Sequence, residues 1–436
     1  VAQTNTLVRE SVSYIGEEVT LGTLPAIAGL NSMQGVVLPI DALMVDGITT
    51  EMLANPDEGS RRYTRQDYTL GLQRGSRFSL KTQVKPILAS DILEAGATVN
   101  TAITHRVLYR HAFGAEHAAA GQSVTAGTSG TSFTVTSAAD MVVGTWILVS
   151  SDGTATPEAC RIDDISTNTL TVSPSLSFTP SNASEVRQLY TYVPAEAHSR
   201  TFSFQRAFVG DSTAQYELRG CYGDPKIAWE YGQVPSLTID GTATVYQRGA
   251  LSLGTTAATE TMGAPAVFAP CVYLVPKSSG SRGSIVRAVR YACESISLEY
   301  GNAWELVREG CAAGTIAAVV ATAGRPGIKA TIRARFDGAA SGPSDGFDAR
   351  TQYEVVLVWR MVGTGYTGAS AARFMVLDLP NCRVAADPKP VMIGARLGHE
   401  FVLEAHEDDC IATAAGTPII GANTDFQYAP MRLALG

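Results

Sequence analysis

The sequence predicts a mainly β protein: two tandem β-sandwich or barrel units, each with a flanking helix, and a small inserted β-barrel or Ig-like domain. Three observations carry this prediction. Forty-one glycines and 20 prolines are spread along 436 residues, which suits many turns between short strands. The charged share is 17%, below the usual quarter, so Ser, Thr, Gly and Asn must supply much of the polar surface. The second half also echoes the first. Leu218-Arg219-Gly220-Cys221 with Asp224-Pro225-Lys226 returns as Leu379-Pro380-Asn381-Cys382 with Asp387-Pro388-Lys389.

Each echo follows a strand-like run that carries an arginine, Phe202 to Phe208 with Arg206 and Val356 to Val362 with Arg360. Upstream, Gly75 to Val84 has a looser counterpart in Gly324 to Arg333. Three matches in the same order predict a duplication, and a duplication favours a building block over an enzyme. The predicted division gives residues 1–118 and 191–275 to the first copy, 119–190 to the insertion and 276–436 to the second copy.

Along the first copy, Ser11 to Pro25 reads as an extended entry and Gly35 to Asp46 as a strand. The polar stretch Gly47 to Asp67 reads as a loop longer than a compact domain holds without a use for it, either a contact arm or a mobile tip. A strand follows at Arg77 to Val84, and a helix is predicted over Ser90 to Phe113, with Ile92, Leu93, Ala97, Val99, Ile103 and Val107 on one face. Residues 119–190 are dense in Ser, Thr, Ala and Gly, with β-like runs at Ser132 to Thr136, Thr145 to Ser150, Cys160 to Ile165 and Thr169 to Val172. Turn signals about every ten residues predict a small barrel or sandwich, inserted at an exposed loop tip. In the second copy, strands are predicted at Ile285 to Tyr291, Ile296 to Tyr300, Ile328 to Phe336, Tyr353 to Val362, Phe374 to Leu379 and Glu400 to Ala405, with a short helix over Ala303 to Arg308.

The net charge of −8 and the lack of a dense basic run exclude a binder that works by neutralising phosphates. Ala264 to Val275 is broken by Pro265 and Pro270 and is too short to span a bilayer. The start, Val1 to Asn5, lacks a basic region before an apolar core, so no secretory signal is visible, with prior removal of one the other reading. Seven cysteines, no two closer than eighteen residues, form no disulfide framework and no zinc pattern; they read as small buried hydrophobes. His105, His111 and His117 recur every six residues, which suits neither helix nor strand facing, so no metal site and no cofactor is expected.

Gly363 to Gly368 matches GxGxxG, but a strand resumes by Phe374 and leaves no room for a crossover helix, so a hairpin is expected there. Gly342-Pro343-Ser344-Asp345-Gly346 matches GxSxG inside a Gly/Ser loop without the strand and helix an elbow needs. Carboxylate pairs such as Glu230 with Asp240, or Glu407 with Asp408, have no spacing that specifies catalysis. No catalytic residue is assigned.

Glu17-Glu18-Val19-Thr20-Leu21-Gly22-Thr23-Leu24-Pro25 resembles the N-terminal signature of tail tube proteins of long, non-contractile-tailed bacteriophages. Leu-x-Gly-Cys followed by an extended strand, as in Tyr216 to Ile227, and the Thr/Ser/Gly-rich insertion are similar to features of the same family. The resemblance implies a duplicated tube fold whose trimers form pseudo-hexameric rings that stack into a hollow tube. It further implies a tape measure protein inside, tail tip and terminator proteins at the ends, and phage DNA passing without specific binding. The expected location is the virion tail, assembled in the host bacterial cytoplasm.

An acidic lumen would repel the duplex and keep a hydrated gap. Glu400, Glu404, Glu407 and Asp408 are the lumen candidates, because acids cluster there at a strand end; a solvated outer loop is the other reading. Asp57, Glu58, Arg61, Arg62, Tyr63 and Arg65 are candidates for bridging stacked rings. The inserted domain is expected to project outward, since a domain in the lumen would block DNA. A secreted or surface-layer β-sandwich adhesin would share the composition, but fits poorly with unpaired cysteines and no signal segment. A hydrolase with a carbohydrate-binding insertion lacks a catalytic set.

Overall fold

The computed structural model describes residues 11–27, 33–36, 38, 43–45, 49–53, 68–74, 76–84, 104–117, 121–150, 157–182, 184–195, 197–208, 211–254, 266–267, 270–277, 285, 291–308, 316–323, 327–335, 347, 350–362, 372–394, 396–407 and 429–436. The fold is mainly β, as predicted. The first stretch holds β1 (Ser11–Glu17), β2 (Gln34–Val36), β3 (Leu43–Val45), β4 (Thr49–Leu53), β5 (Tyr68–Arg74), β6 (Ser76–Gln83), α1 (Thr104–Phe113) and β7 (Gly114–His117). Next come β8 (Gln122–Ser129), β9 (Ser132–Val135), β10 (Trp146–Val149), β11 (Glu158–Ser166), β12 (Thr169–Ser173) and β13 (Glu185–Gln188). The middle holds β14 (Tyr190–Pro194), β15 (Ala197–His198), β16 (Phe202–Phe208), β17 (Asp211–Glu230) and β18 (Ser236–Arg248). The rest is β19 (Ala266–Val267), β20 (Cys271–Lys277), β21 (Tyr291–Glu299), β22 (Asn302–Arg308), β23 (Ile316–Ala323), β24 (Ile328–Arg335), β25 (Gln352–Val362), β26 (Ala372–Val384), β27 (Lys389–Ile393), β28 (Arg396–Ala405) and β29 (Arg432–Leu435).

Strand pairing closes a ring in the second half. β20 pairs with β21, β21 with β24, β24 with β28, β28 with β26, β26 with β25, and β25 with β20. The first half repeats that order: β2 pairs with β1, β1 with β16, β16 with β17, β17 with β18, β18 with β6, and β6 with β3. A flat sheet in that order would hold β2 and β3 about 29 Å apart at about 4.8 Å per strand. The chain from Val36 to Leu43 spans at most about 25 Å, so the sheet curls toward closure.

The two circuits also agree in register. Cys221 faces Phe202 and Ala243, and Cys382 faces Tyr353 and Ala405. In both, the register slips between that partner of the cysteine and the residue two along, which faces Leu218 or Leu379; each is a bulge at the same place. β6 and β24 share one burial pattern, inward and outward residues alternating from Ser76 and from Ile328. Two sequence matches therefore move. Arg77 and Lys81 correspond to Lys329 and Arg333, three residues further on than the sequence match had them, and the position of Arg206 falls on Leu357 rather than Arg360. Short motifs fix a match only as far as their bulky residues are unique, whereas ladder register fixes it residue by residue.

β8 to β13 form a closed six-stranded barrel around Val124, Phe133, Ile147, Ile162, Leu170 and Val186. This barrel lies within the predicted insertion but packs on the second circuit. Trp146, Leu148 and Leu189 bury against Tyr273, Val356, Phe374 and Val376. Trp146 Nε1 donates to Asp378 Oδ2 at 3.3 Å, and the fully buried Arg161 pairs with the equally buried Glu354. α1 packs Leu108, Tyr109 and Phe113 into the main core.

Several expectations need correction. Ala303 to Arg308 is strand rather than helix, pairing with β23; Trp304 and Leu306 lie on one side with Glu305 exposed between them, a period of two. Thr49–Leu53, expected in a loop, pairs with Tyr68–Arg74. The expected strand Ile296 to Tyr300 is, as far as Glu299, part of β21, which begins at Tyr291; of the strand expected over Ile285 to Tyr291, Ile285 is not in a strand and 286–290 lie outside the described residues. Of the expected helix over Ser90 to Phe113, Thr104–Phe113 is helical and 90–103 lies outside the described residues. The GxGxxG and GxSxG matches also lie outside them, but the strands flanking the former pair as a hairpin, Val362 facing Ala372.

Candidate functional site

β17 leaves the first circuit and pairs with β21 of the second, Lys226 facing Glu299 and Glu230 facing Ser295. This junction fuses the circuits into one antiparallel series of eight strands, β3, β6, β18, β17, β21, β24, β28 and β27. Residues that face each other across an antiparallel ladder project from the same side. One side carries the core: Leu80, Ile239, Ile227, Leu298, Ala330 and Leu403. The other side is polar.

Charges alternate across that polar side. One row runs Lys81, Thr238, Lys226, Glu299, Lys329, Glu404. Another runs Glu230, Ser295, Arg333, Glu400, Lys389. Lys226 Nζ lies 2.7 Å from Glu299 and Arg333 Nε lies 2.6 Å from Glu400; the hydrogen bond and charge of Glu400 push the Arg333 guanidinium further up. Exposed pairs of this kind contribute at most about 1 kcal/mol each. Their consequence is a hydrated face on which Lys226 and Arg333 are paired with acids.

Of the lumen candidates, Glu400 and Glu404 lie on this face, where each faces a base rather than standing in an acidic cluster. Glu407 is exposed just beyond β28, its carbonyl accepting from Asn381 Nδ2 at 2.9 Å, and Asp408 lies outside the described residues. So do Asp57, Glu58, Arg61, Arg62, Tyr63 and Arg65, between the paired strands β4 and β5.

The repeat residues divide by role. Cys221 and Cys382 are fully buried, and burial pushes both thiols up. Lys226 and Lys389 lie on the polar side, while Pro388 is buried and Asp387 exposed. Asp224 accepts from the backbone N–H of Asn302 at 2.8 Å; burial raises its carboxyl above the usual range, against that hydrogen bond. Sequence reasoning gave no role to Glu18, which accepts from Ser203 Oγ at 2.5 Å, Thr201 Oγ1 at 2.8 Å, Gly22 N at 2.8 Å and Gly220 N at 2.7 Å. It pins the entry segment to β16 and to the β17 bulge. The only signal was its place in the Glu17 to Pro25 signature.

The buried groups serve packing. His111 stacks on Trp304 with centroids 5.5 Å apart and bonds through Nδ1 to Arg200 O at 2.8 Å; burial lowers its pKa to about 3. Among the described residues, no three His, Cys, Asp or Glu converge as a metal-binding group, and no helix is long and apolar enough to cross a membrane. A shallow depression of about 400 Å³ beside Lys81, Gln83, Glu230 and Gln233 has no nucleophile and base set together. No known protein-family model matches the chain, and a search of curated proteins finds no relative.

Proposed function

We propose that this chain is a structural subunit that associates head to tail into rings which stack into a hollow tube, the tail tube of a long-tailed bacteriophage. The supporting observation is the junction of two like circuits through β17 and β21 into one eight-stranded sheet with a polar face. A unit joined to its own copy by a heterologous contact can repeat that contact around a closed ring. Eight strands at about 4.8 Å make an arc of about 38 Å. Three such arcs close a ring about 37 Å across at the backbone, which strand tilt widens further, enough for a DNA duplex.

The polar face then lines the bore, with acids and bases alternating so that phosphates meet no continuous basic wall and slide without specific binding. The small barrel packs on β20, β25 and β26, the wall of the second circuit away from β24. In such a ring it lies outside, clear of the DNA. The chain carries out no reaction in this reading. A tape measure protein occupies the bore before ejection, tip and terminator proteins cap the ends, and assembly takes place in the bacterial cytoplasm. Electron microscopy of the concentrated protein in negative stain tests the reading: hollow rings or tubes with an open bore are expected, and solid particles or filaments without a bore overturn it.

A further inference from the structure

Among the described residues, the internal junction has a counterpart without a strand partner at each end of the eight-stranded series. In the first circuit, Lys226 faces Thr238, five residues before the Ala243 that faces Cys221. In the second, Lys389 faces Glu400, five residues before the Ala405 that faces Cys382. β27 is therefore the equivalent of Lys226 to Glu230. By the same registers Leu43 faces Leu80 as Ile296 faces Ile332, within β6 and β24 of identical burial pattern. β3 is therefore the equivalent of Ile296 to Leu298.

Within the chain these two segments pair with each other: Ile227 faces Leu298, Ala228 faces Ser297 and Trp229 faces Ile296. Among the described residues, β27 pairs only with β28 and β3 only with β6. Exposure follows the missing partner. Trp229, covered by the second circuit, is 2% exposed, whereas its equivalent Met392 is 68% exposed and the facing Leu397 is 61% exposed.

The geometry points to β27 of one chain pairing antiparallel with β3 of a second copy, with Pro390 facing Val45, Val391 facing Met44 and Met392 facing Leu43. This contact repeats the β17–β21 junction between chains and continues the polar sheet without a break. Met392 then fills the place that Trp229 fills inside the chain, against the core side of the neighbouring first circuit. Lys389 and Pro390 are residues that discourage indiscriminate edge pairing, so matched register selects the partner. The inference requires head-to-tail association of the chain; it does not require that the bore carry DNA.

The test uses the full chain with Met44→Cys and Val391→Cys together, oxidised across a concentration series. Disulfide-linked oligomers are expected from the double variant, and none from either single variant or from Met44→Cys with Met392→Cys, whose side chains leave opposite faces. A second variant, Met392→Arg, should weaken self-association roughly tenfold or more while leaving the thermal midpoint of the monomer unchanged, since the side chain is exposed there. A double variant that stays monomeric, or crosslinks no better than the offset pair, overturns the inference. So does Met392→Arg assembling as the parent does. Crosslinked rings that form no tube would leave this contact standing and count against the conduit; tubes without the crosslink would do the reverse.

Discussion

At the scale of single residues, the repeat motif has a mechanical explanation. Gly220 holds φ at +59°, and a Cβ there would meet Thr244 Oγ1 at 2.0 Å, so the bulge in β17 requires glycine. The bulge turns the Gly220 N–H toward Glu18 and Cys221 into the core. The second circuit bulges at the same point and fixes it through Asn381, whose carbonyl accepts from His406 N at 2.8 Å. A prediction at this scale concerns His111 and His198, which pack around Trp304 of β22. Burial lowers His111 to about 3; burial and then the Arg200 charge lower His198 to about 4. In the unfolded chain both titrate near 6.5, so the unfolded state binds more protons between these values. Stability is then full above about pH 6.5 and falls as pH drops, by up to about 1.4 kcal/mol per pH unit for each histidine. Thermal midpoints measured from pH 7 to pH 4 should fall, and His111→Phe should shallow the slope; an unchanged slope would contradict the assignment.

At the scale of elements, the docking of the small barrel depends on buried charge. Arg161 is fully buried and meets Glu354, also buried, on β25. Replacing Glu354 with Ala removes the buried carboxylate and leaves Asp163, 2.7 Å from Nε, to hold the guanidinium; the loss should reach at most about 3–5 kcal/mol in urea unfolding, whereas Arg161→Met with Glu354→Leu should lie nearer the parent. Equal losses in both would remove the ion pair from the account. Neither residue was singled out in the sequence, because a long-range pair between an insertion and a later strand has no local signature. Four of the six barrel strands were legible for the opposite reason: Phe133, Ile162 and Leu170 alternate with polar residues, and Trp146 to Val149 is a short apolar run, all between turn signals. The Trp304 segment was misread because six residues cannot distinguish helix from strand until the covering surface, α1 and β15, is known. On the candidate face, Glu400 and Glu404 could be named from the sequence, but their pairing with Arg333 and Lys329 depends on a ladder register that composition does not encode.

At the scale of the whole molecule, two circuits share strand order, bulge position and the placement of a hairpin, β4–β5 after β3 and β22–β23 after β21. They differ where the chain has grown, with α1 and the small barrel between β6 and β16. The equivalence of the halves predicts the assembly: each chain contributes two like lobes and one barrel. The most direct measurement is averaging of ring end views by electron microscopy. The account predicts three chains per ring, six similar lobes around an open bore and three outer knobs from the small barrels. Rings of six chains, lobes that do not repeat within the chain, or barrels inside the bore would contradict it.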